Sequence, residues 1–280
     1  MTTKRHANDE QTQLWNGSSG DAWIASKDVL DRMFQPFETL LASKLVDGGA
    51  QHVLDVGCGT GSTTLALARR LNADGYCLGA DVSAPMIAVA EARARHDNSR
   101  ARFLCADVQT HPFEPHRFDV AVSRFGVMFF DDPVVAFENL RRAMKPAGAL
   151  HCIAWRSASD NPFMTTAERA AAPLLPDLPA RQPGAPGQFA FADRQRVTSI
   201  LQQSGWHGID IQPLDVDCTL PESELAAYLT RLGPVGRVLQ TVDASKRDDI
   251  VATIQAAFAP YVHADEVRYR AACWMIDAHA

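Results

Sequence analysis

Several features that would assign a chain of 280 residues to a particular class are missing from this sequence. No apolar run reaches the roughly 18 residues needed to cross a membrane, and the N-terminus, MTTKRHANDEQTQ, has no apolar core of a signal peptide. Lysine and arginine (27) are fewer than aspartate and glutamate (33), the formal net charge is −6, and no basic stripe is present. We therefore expect a cytoplasmic protein that binds neither membranes nor nucleic acid.

The sequence also lacks the cysteine pairs of a zinc site or a disulfide framework. Its six cysteines include no CxxC pair, and its nine histidines are dispersed. Most cysteines lie in or beside apolar runs, where a free thiol behaves as a small hydrophobic group. His111 and His116 are close in sequence, but they lie in a proline-containing loop without a third ligand. The sequence therefore predicts reduced thiols and no metal site.

Short apolar runs alternate with helical patterns from residue 52 onward. The runs cover residues 52–57, 76–81, 102–107, 118–123 and 149–155, and their continuous hydrophobicity is typical of strands buried on both faces. Helices are predicted between them over residues 62–71, 85–95 and 133–144. This alternation predicts a doubly wound α/β fold with a mostly parallel sheet.

The regions outside these strands have a different character. A proline-rich stretch covers residues 173–187, helices are predicted over 193–204, 222–232 and 246–258, and strands over 208–216 and 267–277. We divide the chain into an N-terminal helical lid (1–46), an α/β core (47–156), a proline-rich insertion or lid (157–192), a core helix and strand (193–218), a helical cap (219–264) and a terminal strand (265–280). The inserted segments either cover a ligand or form a surface extension.

The stretch VLDVGCGTGSTTLALARR (53–70) is the strongest functional motif. A buried strand runs into Gly57, Gly59 and Gly61 and then into a helix, so a ligand can approach the backbone closely there. The dinucleotide fingerprint G-x-G-x-x-G would require a third glycine where Ser62 stands. An NAD(P)-dependent oxidoreductase is therefore the weaker interpretation. Asp55 precedes the turn by two residues, where it can organise the glycine loop.

This pattern resembles motif I of the class I S-adenosylmethionine-dependent methyltransferases, and the similarity continues along the chain. Asp81 closes the second strand, Asp107 closes the third, and Pro146-Ala147-Gly148 replaces the usual Pro-Gly-Gly before the fifth. The resemblance implies a Rossmann-like, seven-stranded sheet with an antiparallel last strand, and S-adenosylmethionine as cofactor. Within the class, the chain resembles the small-molecule methyltransferases near those of quinone biosynthesis.

The resemblance also implies a set of cofactor-binding residues. Asp81 would bind the ribose hydroxyls, and Asp107 the adenine amino group with Val108 beside it, while Met86 is either a core residue or packs on the adenine. The complete predicted set is Trp15, Trp23, Asp55, Gly57, Gly59, Gly61, Asp81, Val82, Met86, Asp107, Val108 and Ser123.

Methyl transfer is an in-line displacement that depends mainly on alignment and exclusion of water. Ligands of open α/β sheets bind at the carboxyl ends of the strands, and the candidate substrate-positioning residues there are Arg124, Trp155, Arg156 and Asn161. Arg124 either forms a structural salt bridge or binds an anionic substrate or the cofactor's carboxylate. No general base is identified, because His151 lies inside the fifth strand and is interpreted as a core histidine.

The predicted partner is a small-molecule methyl acceptor, methylated on oxygen, nitrogen or carbon. A non-catalytic S-adenosylmethionine-binding protein is a further alternative, and the sequence is also compatible with a homodimer. The motif [DNS]-P-P-[YFW], frequent in nucleic-acid methyltransferases of this class, is absent, because the corresponding stretch reads SRFGVM.

The segment LWNGSSGDAWIAS (14–26) contains two tryptophans around four linker-like residues. An amphipathic helix is predicted over residues 28–45, and it would anchor the segment to the core. We expect Trp15 and Trp23 to cover the cationic sulfonium, with the glycines providing a hinge. The alternative is a docked arm without a role in binding.

Overall fold

A computed structural model describes residues 8–49, 51–182 and 184–280, with the backbone alone for residues 46–48. The described residues form one eight-stranded sheet with the order β3-β2-β1-β4-β5-β8-β6, and β7 pairs with β8. The strands are β1 His52–Val56, β2 Tyr76–Asp81, β3 Arg102–Cys105, β4 Phe118–Arg124, β5 Met144–Trp155, β6 His207–Pro221, β7 Val262–His263 and β8 Glu266–His279.

Strands β1 to β5 are parallel, and β8 enters antiparallel between β5 and β6. The predicted doubly wound, mostly parallel sheet is therefore confirmed, including its antiparallel last strand; the additional strand β7 has only two residues. The strand order reverses between β1 and β4, and such a switch point leaves a crevice at the carboxyl ends of the strands.

Eleven α-helices accompany this sheet in the described ranges. They are α1 Asp9–Trp15, α2 Ser18–Ala25, α3 Lys27–Gly48, α4 Ser62–Ala68, α5 Ala84–His96, α6 Pro133–Ala143, α7 Pro162–Ala171, α8 Arg194–Gln203, α9 Leu225–Arg231, α10 Gly233–Leu239 and α11 Ala244–Ala257. Single 3₁₀ turns cover Val127–Phe129, Glu222–Glu224 and Ala259–Tyr261.

Helix boundaries follow local sequence signals. Ser83 accepts a hydrogen bond from the Met86 amide at 3.4 Å at the start of α5, and Asp132 accepts one from the Val135 amide at 3.1 Å at the start of α6. The predicted amphipathic helix over 28–45 corresponds to α3, which buries Phe34, Phe37 and Leu41. This burial fixes the N-terminal segment to the sheet.

Helices were underestimated in the two inserted regions. Helix α7 lies inside the segment interpreted as a proline-rich insertion; α9 lies within the helix predicted over 222–232, and α10 follows it as a helix that was not predicted. Helix α7 contacts α10 and α11, and α10 also contacts α2 of the N-terminal segment. We refer to α7, α9, α10 and α11 as the cap. No helix in the described part of the chain is long and apolar enough to span a membrane.

Candidate functional site

The glycine turn after β1 requires a backbone conformation that side chains disfavour. Gly57, Gly59 and Gly61 have φ angles of 68°, 53° and 85°. A Cβ atom on Gly57 would lie 2.6 Å from the Cα of Gly126, and one on Gly61 would lie 2.8 Å from the Cβ of Ala90. These two glycines therefore permit close packing of the turn against its neighbours.

Gly59 has room for a Cβ atom, in contrast to Gly57 and Gly61. The atoms nearest to a Cβ built on it are the Met86 sulfur at 3.6 Å and the Trp23 indole nitrogen at 3.8 Å. Gly57 and Gly59 both line a cavity at the carboxyl ends of the strands, whereas Gly61 does not. Gly61 thus belongs to the packing of α4 and not to the cavity wall.

Two further predicted cofactor residues lie behind the turn. Asp55 is 1% exposed, and its Oδ2 accepts a hydrogen bond from the Thr64 hydroxyl at 2.6 Å. The Ser123 hydroxyl donates to the Val56 carbonyl at 2.7 Å and accepts from the Gly126 amide at 3.1 Å. Asp55 and Ser123 are absent from the cavity wall and hold the surrounding backbone in place.

Burial raises the pKa of Asp55 to about 6, although the Thr64 hydrogen bond and the charge of Arg124 oppose the increase. Its second oxygen, Oδ1, is buried without a hydrogen-bond partner among the described residues. A carboxyl group without full hydrogen bonding favours its neutral form, which explains the direction of the shift.

Asp81 ends β2 with its carboxylate toward the cavity. Its Oδ2 accepts a hydrogen bond from the Gly59 amide and its Oδ1 one from the Ser83 amide, each at 2.9 Å. Burial raises the pKa of Asp81, and the backbone hydrogen bonds oppose the increase. Each carboxylate oxygen has a second lone pair, so Asp81 can still accept from a ligand hydroxyl. Val82 and Met86 line the cavity beside it.

Asp107 lies after β3 and also reaches the cavity, with Val108 next to it. Its Oδ1 accepts hydrogen bonds from the Gln109 amide at 2.9 Å and from Asn8 Nδ2 at 3.2 Å. Asn8 is 6% exposed, and its Oδ1 has no hydrogen-bond partner within the described ranges, as is also the case for Gln11 Oε1. Both amides line the cavity. Sequence reasoning missed them because no motif precedes the first strand.

The corner between α1 and α2 is fastened to the loop after β2. Asn16 donates to the Val82 carbonyl at 2.9 Å and accepts from the Ala84 amide at 3.0 Å, and the Ser83 hydroxyl donates to the Trp15 carbonyl at 2.7 Å. These bonds connect the N-terminal helices directly to the loop that carries Asp81.

Both tryptophans of this segment line the cavity. The rings of Trp15 and Trp23 meet edge to face at 6.0 Å, and Trp15 also meets Phe129 at 5.1 Å. A Cβ on Gly20 would lie 2.0 Å from the Trp15 carbonyl oxygen. The expectation of a glycine hinge is therefore wrong for Gly20, which lies within α2 and allows that helix to pack against Trp15.

Arg124 ends β4 and lines the cavity. It forms no ion pair with a carboxylate in the described part of the chain; its guanidinium lies 5.7 Å from the centre of the Phe34 ring, and its Nη1 is buried without a partner there. Burial lowers the pKa of Arg124, whereas the charges of Asp31 and Glu38 oppose the change. The salt-bridge interpretation is thus unsupported, and a buried cation remains available to a ligand.

The other three candidate substrate residues have different surroundings. Trp155 lines the cavity and stacks on Phe125 at 4.6 Å. Arg156 pairs with Asp160 at 3.1 Å and Asp215 at 3.2 Å, away from the cavity.

Asn161 is buried outside the cavity. Its side chain donates to the Ala272 carbonyl and accepts from the Ala272 amide, each at 2.9 Å. Asn161 and Arg156 therefore connect the end of β5 to β8 and β6 rather than contacting a ligand, which corrects their assignment to the substrate site.

The cavity has a volume of about 570 Å³ and extends from the glycine turn to the cap. This lies within the range of roughly 300–1,000 Å³ typical of small-molecule sites. Its cap side includes both charged side chains and apolar or aromatic ones, the latter among them Phe163, Met164, Tyr228 and Phe258. Burial raises the pKa of Tyr228, so its hydroxyl remains protonated at neutral pH.

No histidine or lysine is found among the described residues that line the cavity. His151 instead pairs with Asp277 at 2.6 Å, and Lys44 pairs with the same carboxylate at 2.8 Å. His151 is therefore a partnered histidine of the sheet, as its position in a strand predicted. The described residues also contain no group of three or more metal-ligating side chains.

Comparison with known proteins identifies the family. A methyltransferase domain family matches residues 53–148. The demethylmenaquinone methyltransferase of Lactiplantibacillus plantarum is 30% identical over 172 residues, which cover 58% of this chain and 72% of that protein. The protein of the same name from Staphylococcus haemolyticus is 27% identical over 167 residues, which cover 57% and 70%.

A solved structure shows the same fold. The crystal structure of the YcgJ protein from Bacillus subtilis covers 86% of this chain and 97% of its own, with a TM-score of 0.56 and 16% identity. The activity is inferred from the sequence relatives, because similarity to a solved structure at 16% identity shows only the fold. The chain belongs to the class I S-adenosylmethionine-dependent methyltransferases and uses S-adenosylmethionine as its cofactor.

Proposed function

We propose that this enzyme methylates a small molecule inside the cavity between the sheet and the cap. The observation that carries the proposal is the continuity of the cavity. One volume contains the motif residues Gly57, Gly59 and Asp81 at one end and the apolar cap side chains at the other. A cofactor and an acceptor can therefore meet in one continuous site.

The residues at the motif end fit the groups of S-adenosylmethionine. Asp81 would accept hydrogen bonds from the ribose hydroxyls through its free lone pairs. Asp107 would accept from the adenine amino group, assisted by the buried, unpartnered oxygens of Asn8 and Gln11. The cofactor's carboxylate would satisfy the buried guanidinium of Arg124, which has no carboxylate partner in the described part of the protein.

The N-terminal segment would act as the lid of the cofactor site, as predicted for residues 1–46. Trp15 and Trp23 present aromatic surface to the cavity next to Gly59. An aromatic face near a sulfonium is favourable because the ring quadrupole attracts the cation. The hydrogen bonds between the α1–α2 corner and residues 82–84 would keep this cover in register with Asp81.

When bound, S-adenosylmethionine supplies a methyl group that its sulfonium already activates. The chain's own residues would align the two reactants and exclude water. The described wall offers no histidine or lysine, its cap-side carboxylate Glu168 is paired with Arg181, and Tyr228 stays protonated. The acceptor atom would therefore enter as a nucleophile that needs no strong base, such as an anionic oxygen or a neutral amine.

The relatives guide the choice of acceptor. Both relatives described above are named demethylmenaquinone methyltransferases, so their named acceptor is a quinone-type ring compound. The aromatic cap side chains Phe163, Tyr228 and Phe258 would pack against a ring in the same way. We therefore propose an acceptor with an apolar ring system.

Calorimetric titration with S-adenosylhomocysteine and with NAD tests the proposal. We expect the protein to bind S-adenosylhomocysteine and not NAD. Asp81→Asn should weaken it by about tenfold to a hundredfold because charge-assisted hydrogen bonds are lost. The control Asp97→Asn alters a surface pair with Arg69 and should leave affinity unchanged. Absence of binding, or equal affinity in Asp81→Asn, would contradict the proposal.

A further inference from the structure

The cap side of the cavity carries an excess of positive charge. Its charged lining residues in the described ranges are Glu168, Arg181, Arg231 and Arg237. Arg181 donates to both oxygens of Glu168, with the Nε–Oε2 contact at 2.9 Å, and its guanidinium also lies 4.6 Å from the Phe189 ring. The charges of Arg181 and Glu168 therefore cancel, and no carboxylate on the cap side of the described cavity wall remains to balance the charges of Arg231 and Arg237.

Arg231 is exposed and donates to the Ala25 carbonyl at 3.4 Å, so water can solvate its charge. Arg237, on α10, is only partly exposed, and no carboxylate of the described residues forms an ion pair with it. Its one hydrogen bond there is long, from Nη1 to the Ser19 hydroxyl at 3.5 Å. Burial lowers the pKa of Arg237, and the charge of Arg181 lowers it further, whereas Glu168 opposes the change.

A guanidinium has five N–H donors, and most of those on Arg237 are left for a ligand. The same cavity is lined by apolar surface from Val235 on this helix, from Leu232 just before it, and from Tyr228 and Phe258 of the cap. A partly buried cation in a cavity with aromatic walls matches an anion attached to an apolar ring.

Building on the proposed function, we propose that the methyl acceptor carries a carboxylate or phosphate group that Arg237 binds. The ring of this acceptor packs against the aromatic cap side chains, and the anionic group fixes which ring atom faces the cofactor. Arg237 is thus a specificity-determining residue, not a participant in bond making.

A purely structural role would be different. The bond to Ser19 connects α10 to α2, so Arg237 could serve only to join the cap to the N-terminal lid. In that case its removal would change protein stability and cofactor affinity, and it would affect charged and neutral ring compounds equally.

The test compares 2-naphthoate, 2-naphthyl phosphate and the neutral 2-naphthamide by titration, with and without S-adenosylhomocysteine. We expect the protein to bind at least one anion about tenfold or more tightly than the amide, and the two anions separate a carboxylate from a phosphate. Arg237→Gln should reduce this preference to below about twofold, with unchanged affinity for the amide and for S-adenosylhomocysteine. The control Arg268→Gln, at an exposed pair with Glu266, should retain the preference.

Equal binding of the three probes, no binding of either anion, or a preference that persists in Arg237→Gln would overturn the inference. Failure of the proposed function has a separate signature. If S-adenosylhomocysteine does not bind while the anion preference still depends on Arg237, the cavity is an anion site and the proposal that methyl transfer takes place in it is wrong.

Discussion

The buried carboxyl group of Asp55 gives a prediction about stability that can be calculated from its surroundings. Burial raises its pKa from the ordinary value of 3.8 to about 6. The folded protein therefore binds this proton more tightly than the unfolded chain does. The contribution of Asp55 is most favourable below about pH 4, decreases as the pH rises to about 6, and is constant above that value.

The size of the effect follows from the shift. A difference of this magnitude corresponds to about 3 kcal/mol between the two ends of the pH range. Asp55→Asn keeps an oxygen that can accept from the Thr64 hydroxyl but removes the titration. The free energy of unfolding of Asp55→Asn relative to the natural protein should therefore increase by about 2.4 kcal/mol between pH 4 and pH 7, because the unfolded carboxyl group is already partly ionised at pH 4.

Urea unfolding of both proteins at half-unit steps from pH 4 to pH 7.5 measures this difference, and the contributions of all other carboxylates cancel in it. Asp119→Asn is a control of opposite sign. Partial burial raises the pKa of Asp119, but hydrogen bonds from Lys145 and from the amides of residues 51 and 52 outweigh it and lower the pKa overall. Removing that group should cost stability above its unfolded pKa. A difference for Asp55→Asn that does not change with pH would refute the reasoning.

Four other substitutions and one control separate packing from ligand binding. Gly57→Ala should lose about 2–4 kcal/mol of stability because the left-handed backbone and a 2.6 Å contact add together; Gly49→Ala, also left-handed but with open space around it, should lose only about 1–2 kcal/mol. Trp15→Ala and Trp23→Ala should weaken binding of S-adenosylmethionine about threefold to tenfold more than that of S-adenosylhomocysteine, because only the former is a sulfonium; calorimetry showing equal losses would contradict the lid. Asn161→Ala should lower the free energy of unfolding by about 2–4 kcal/mol and leave the affinity for S-adenosylhomocysteine unchanged. A loss of this affinity without a loss of stability would show that Asn161 belongs to the binding site.

The sheet and the motif end of the cavity could be predicted because their signals are local. Strands buried on both faces have continuous apolar sequences, and parallel strands bring their carboxyl ends to one edge. Asp81 and Asp107 each follow such a run, so their proximity to the glycine turn was predictable without knowledge of the tertiary structure.

The directions in which individual side chains point were harder to predict from the sequence. Arg156 and Asn161 do follow the fifth strand, as expected, but β8 lies antiparallel beside it and pairs Trp155 with Cys273. That pairing brings the Ala272 backbone within reach of Asn161. The structural role of Asn161 thus depends on a contact with a residue far away in sequence, and the local sequence pattern does not indicate that contact.

The cap was the least predictable region. Helix α10 has seven residues with two glycines and a proline, so its intrinsic helix propensity is poor. A Cβ on Gly236 would lie 2.5 Å from the Arg231 backbone, so α10 packs tightly against the end of α9. Arg237 owes its position in the cavity to that packing, and a helix prediction alone could not place it there.

Hydrogen bonds connect the N-terminal segment to the motif end of the cavity. Arg93 donates to Asp31 of α3 at 2.7 Å and to the Thr60 carbonyl of the glycine turn at 3.0 Å, and Ser62 donates to Glu38 of α3 at 2.6 Å. Helix α3 therefore holds the turn while the α1–α2 corner holds the loop after β2. The docked N-terminal helices and a bound ligand can therefore stabilise each other. If docking of these helices strengthens ligand binding by a given free energy, ligand binding stabilises the docked helices by the same free energy. The lid and the cofactor motif, far apart in sequence, are thus coupled by hydrogen bonds that no sequence motif records.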